Sequence, residues 1–143
     1  MSEICDWDDL VERDGLYCKK LTDVPFTGEV TGTSQGRIKD GEKDGPWVRY
    51  LKNGQLLWKG TWKDGKKDGP WVSHYENGQL RYERTYKDGI LDGPWVRYHD
   101  NGQLSYEGTY KDGERDGPWV SFNKDGTVDD ALTGTYRDGV KVE

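Results

Sequence analysis

Several things are scarce in this chain of 143 residues: one methionine, two phenylalanines, two cysteines, and hydrophobic residues at only 31% against 34% charged. A closed two-layer core needs more apolar groups than that. No apolar run is long enough to span a membrane, and the N-terminus lacks a basic stretch followed by an apolar one, so no secretory leader is expected and a cytoplasmic location is. Cys5 and Cys18 stand without a CxxC spacing, which favours two free thiols over a bridge. Nucleic-acid and anionic-membrane surfaces need clustered lysine and arginine, whereas the net charge is −6. A nucleic-acid or anionic-membrane surface is therefore not expected, and an acidic chain suits a basic partner better.

Catalytic and ligand-holding patterns are missing too. There is no Gly-x-Ser-x-Gly elbow, no phosphate-cradling glycine loop and no calcium loop of alternating aspartates. His74 and His99 are the only histidines and have no third ligand beside them, whereas zinc needs three or four. The reading is a non-enzyme with no catalytic residue, no metal and no cofactor.

Glycine, tryptophan and tyrosine are plentiful instead, at 20, 7 and 9 residues. They recur in register. Gly-Pro-Trp returns with its Trp at 47, 71, 95 and 119, a period of 71 − 47 = 24 residues. Such a period marks an array in which each unit leans on its neighbours. Residues 1–12 read as an acidic N-terminal cap or tail, and 13–143 as the array. Its degenerate first copy is 13–46, its regular copies are 47–70, 71–94 and 95–118, and its irregular last copy is 119–143. Runs such as Trp47-Val48-Arg49-Tyr50-Leu51 are bounded by Asn53-Gly54 and Asp64-Gly65, strong hairpin signals. The expected fold is all-β: an elongated single-layer antiparallel meander, two strands per copy and about nine strands in all.

Strand parity sharpens the expectation. Two-residue loops would leave strands of odd length, which cannot close on hydrogen-bonded pairs at both ends. Three-residue loops, Lys52-Asn53-Gly54 and Lys63-Asp64-Gly65, remove the conflict. They place Val48, Tyr50, Leu56, Trp58, Gly60 and Trp62 on one apolar face, and Trp47 and Arg49 on a more polar one. Pairing is expected to break or bulge at Pro70, Pro94 and Pro118, which cannot donate to a ladder.

The recurring tryptophans then have two readings. They form a stacked ladder that stiffens the sheet, or they form an exposed stripe for a protein partner, composed of Trp47, Arg49, Trp71, Tyr75, Trp95, Arg97 and Trp119. Tyr106-Glu107-Gly108-Thr109-Tyr110-Lys111-Asp112-Gly113, together with the Asp-Gly-Pro-Trp and Asn-Gly-Gln-Leu phrases, resembles MORN repeats, and within them the bacterial variant of YwqK-type antitoxin-like proteins. Gly15-Leu16-Tyr17 and Pro25-Phe26-Thr27-Gly28 resemble the segments that open that family's array. Arg84 departs from the pattern by replacing the glycine of Gly60 and Gly108. The resemblance implies a hairpin-repeat fold and a protein-binding role, antitoxin-like or scaffolding, with a basic toxin as the kind of partner. A lipid-binding array and a carbohydrate- or choline-binding aromatic repeat are the alternatives. Open end strands make a homodimer a further expectation.

Overall fold

The computed structural model describes residues 3–143. It contains fifteen strands and no α-helix among the described residues. The N-terminal part holds β1 (Glu3–Asp6), a 3-10 turn (Trp7–Asp9), β2 (Leu10–Arg13), β3 (Leu16–Lys19), β4 (Gly28–Thr31) and β5 (Ser34–Lys39). The regular copies supply β6 (Glu42–Tyr50), β7 (Leu56–Lys63), β8 (Lys66–Lys67), β9 (Gly69–His74), β10 (Leu80–Lys87), β11 (Ile90–Tyr98), β12 (Leu104–Lys111) and β13 (Glu114–Ser121). The chain closes with β14 (Gly134–Arg137) and β15 (Val140–Lys141). Thirteen of these strands make one sheet and β2–β3 form a separate hairpin, so the expected nine strands fall short. From β4 onward the sheet is an antiparallel meander in chain order. Its one parallel pair is β1 on β4, with Cys5 beside Val30, which makes the sheet mixed.

Two kinds of turn drive the meander. Leu51 donates to Gln55 O at 2.8 Å and Gly54 donates to Leu51 O at 2.9 Å, which is the expected three-residue loop over Lys52-Asn53-Gly54. The Asp-Gly turns are different. Lys63 pairs directly with Lys66, so the loop is the two residues Asp64-Gly65, with φ of 51° and 77°. Positive φ at both positions is the type I′ turn, whose twist matches that of the flanking strands. The expected loop Lys63-Asp64-Gly65 is one residue too long.

Bulges absorb the parity conflict that had argued for longer loops. In the β6–β7 ladder Tyr50 faces Leu56 but Arg49 faces Trp58, leaving Leu57 as an extra residue. The same slip recurs around Arg81 and Ser105. A one-residue slip moves everything beyond it to the opposite face. Trp47 therefore lies opposite Gly60, and the expected apolar stripe is split: Val48, Tyr50 and Leu56 share one face, while Trp58, Gly60 and Trp62 share the other with Trp47 and Arg49. A second irregularity sits at each Asp-Gly-Pro, as the prolines required. Across β10–β11, Arg84 faces Trp95 and Tyr86 faces Leu91, so two extra residues enter and the faces are kept.

The core is one-sided. Trp47, Trp71, Trp95 and Trp119 are only 1%, 4%, 8% and 4% exposed. Each of three indoles lies flat on a glycine of the preceding strand: Trp47 on Gly36, Trp71 on Gly60 and Trp119 on Gly108, where any Cβ would fall inside the ring's contact radius. Such close approach is available only to a residue without a side chain. At the N-terminal end, Cys5, Leu10, Phe26, Val30 and Ile38 join Trp47 in a buried cluster, with Trp7 and Tyr17 packed against it. Cys5 and Cys18 are buried free thiols.

A candidate docking face lined by rings and cations

Direct cross-strand partners point to the same side of a sheet, so the register defines a ring face. Along one row it carries Arg49, Trp58, Ser73, Tyr82, Arg97, Tyr106 and Ser121, each paired with the next. Ser73 and Ser121 are buried, and the rings and arginines of the row are half-buried. The parallel row holds the four repeating tryptophans. The expectation of exposed tryptophan rings is thus corrected: these indoles are the floor of the face, covered by their own neighbours. Trp71 is met by Trp58, Trp62 and Tyr86 at ring distances of 5.3, 5.5 and 6.3 Å, and Trp119 by Trp95, Tyr106, Tyr110 and Tyr136. Three of the four indoles also donate Nε1–H to a carbonyl ten residues back: Trp47 to Arg37, Trp71 to Thr61 and Trp119 to Thr109.

The other residues of the expected stripe are brought together at the surface of that floor. Arg49 donates to Ser34 Oγ at 3.4 Å. Arg97 sits between Tyr82 and Tyr106, and the nearby Tyr106 side chain holds its pKa above the ordinary arginine value. Tyr75 itself donates to Tyr98 O at 2.7 Å, tying one copy's turn to the next.

A second set of cations escaped the sequence reading. Lys43 Nζ stands 4.9 Å from the Trp47 ring centre and within 5.6 Å of Trp7, Tyr17, Trp58 and Trp62. Burial among these rings pushes its pKa below the ordinary lysine value, and Glu12 partly offsets that shift. Lys67 lies 4.7 Å from Trp71, and the Arg115 guanidinium 4.8 Å from Trp119. The signal was present in the spacing, a cation four residues before each of these tryptophans, but the intervening Asp-Gly-Pro irregularity hid that both share a face. The third copy has Leu91 at this position, and its cation comes from elsewhere: Arg84 lies 5.3 Å from Trp95 and 3.7 Å from Tyr82. Ring and cation attract through the ring quadrupole, most strongly for tryptophan.

The face can hold and orient a bound segment; it offers no nucleophile paired with a base. Among the described residues no group of three or more His, Cys, Asp or Glu is placed to hold a metal. None of the curated proteins matches the chain. Residues 67–88 and 91–112, which include most of the two central copies of this ring-and-cation face, match the family model of the MORN repeat variant.

Proposed function

We propose that the chain is a non-catalytic protein-binding array that docks a segment of a partner along its ring face. The observation that carries this is the row Trp58, Ser73, Tyr82, Arg97, Tyr106, in which half-buried aromatics and an arginine flank a buried serine on one side of the sheet. Tryptophan, tyrosine and arginine dominate the binding energy of protein interfaces, because each buries much area at little conformational cost and keeps a polar handle. MORN repeats are generally protein- or membrane-binding modules, and an antitoxin-like or scaffolding role fits such a face. A choline seat fits less well, because the tryptophan ring faces already carry Lys43, Lys67, Arg84 and Arg115. The test is site-resolved photo-crosslinking in extract of the native cells. A benzophenone side chain at Tyr82, on the ring face, is expected to give discrete protein adducts, and the same group at Glu83, on the opposite face, is not. Equal labelling from both positions, or none from Tyr82, refutes the reading.

A further inference from the structure

Six cations line the ring face between β6 and β13: Lys43, Arg49, Lys67, Arg84, Arg97 and Arg115. All six are half-buried. The same rows hold no aspartate or glutamate, since Glu83 and Glu107 pair with Val72, Val96 and Val120 on the opposite side. Among the described residues the ion pairs are Lys19 with Glu3 and Lys124 with Asp100, so none of the six has a carboxylate within 4.0 Å. A chain of net charge −6 has therefore sorted its charge, leaving one face positive.

One end of that face meets an acidic segment of the same chain. Residues 3–12 contain Glu3, Asp6, Asp8, Asp9 and Glu12, no lysine or arginine, and the aromatic Trp7. Within this segment β1 is a strand of the sheet beside β4, and the turn that follows it sets the Trp7 ring 6.0 Å from Trp47 and 5.1 Å from Lys43 Nζ. Its Glu12 is the carboxylate whose field acts on Lys43. Leu10 is buried in the same cluster. Trp47, beneath this cover, is the least exposed of the four repeating indoles, and Trp95, without one, is the most exposed.

We propose that the part of the ring face from Lys67 to Arg115 takes an acidic, tryptophan-bearing segment of a partner protein, much as Trp7 of the acidic N-terminal segment meets Lys43 and Trp47. The proposal rests on the docking reading above and adds the sign and character of the ligand. Carboxylates would pair with cations whose partners on this face are ring faces and neutral hydroxyls, as Arg84 has in Tyr86 and Arg115 in Tyr136, and an aromatic side chain would stack beside Tyr82 and Tyr106. The basic partner suggested by the overall charge suits the acidic turns and the opposite face instead.

The test uses the full chain and short fluorescein-labelled peptides of alternating aspartate and tryptophan, with one counterpart in which every aspartate is lysine and another in which every tryptophan is alanine. The acidic aromatic peptide is expected to bind about tenfold or more tighter than either counterpart, and to weaken as salt is raised. Lys67→Glu with Arg97→Glu should weaken it by about tenfold, and Arg97→Lys by much less. If the charge-reversed variant fails to fold, the salt dependence of the unaltered chain decides. Equal binding of the lysine peptide, or acidic-peptide binding indifferent to salt, overturns the proposal. So does flotation with phosphatidylserine vesicles without peptide binding, which would make the occupant a membrane. Adducts at Tyr82 whose yield ignores Arg97→Glu would leave docking intact and refute only the acidic ligand.

Discussion

Trp71 and Trp95 occupy the same place in successive copies, yet they are held differently. Trp71 lies on Gly60, donates to Thr61 O at 3.2 Å and carries Lys67 on its ring. Trp95 meets Arg84 where the glycine should be, is slightly more exposed, and has its Nε1 without a partner, as has Arg84 Nε. The third copy has nonetheless kept a cation on its indole. The charge has moved from the position of Lys67, now Leu91, to the position of Gly60, now Arg84. The contact between cation and ring is retained while the glycine seat and the carbonyl bond are lost, so the repeat tolerates a worse seat more readily than an uncovered ring.

Removing the indoles should separate the two copies most. Trp71→Ala is expected to lower stability by about 3–5 kcal/mol, the usual range for a large buried aromatic, with Trp95→Ala visibly smaller in urea unfolding. Equal losses would mean that seat and hydrogen bond contribute nothing. Next, Gly60→Ala and Gly108→Ala should each cost about 1–3 kcal/mol, because the new methyl displaces a packed ring. Arg84→Ala, which adds no atom under an indole, should cost only about 0.5–1 kcal/mol of cation–π contact. Rebuilding the third copy as Arg84→Gly with Leu91→Lys should gain about 1 kcal/mol by giving the indole N–H its carbonyl at Thr85. Arg84→Gly alone should gain less, since the ring then has no cation.

The smallest effect concerns Lys43, whose folded pKa is lowered by burial. Folding then opposes its protonation, so the penalty is complete at neutral pH and vanishes as pH rises to the ordinary lysine value of 10.5. Stability of the unaltered chain relative to Lys43→Met should therefore increase between neutral and alkaline pH. A difference that is flat or declines over that interval would show that the rings stabilise the ammonium more than its desolvation costs.

Periodicity and glycine-containing turns made the hairpin array legible in the sequence, and the missing glycine at Arg84 marked the copy that is built differently. The facing of the strands was not legible. It hangs on single extra residues at Leu57, Arg81 and Ser105, a leucine, an arginine and a serine that share no side-chain chemistry, so no residue type announces the slip. The two turn types were partly hidden for a related reason. Asn53-Gly54 and Asp64-Gly65 look alike as turn signals, but only the aspartate takes positive φ together with its glycine. Once those slips are placed, the cations regroup onto one side, which an average over composition cannot reveal.

Because each strand of the long sheet is hydrogen-bonded only to the strands beside it, tension applied between the two ends would load one ladder at a time. Such a ribbon should peel hairpin by hairpin under force, in small repeated steps of similar length.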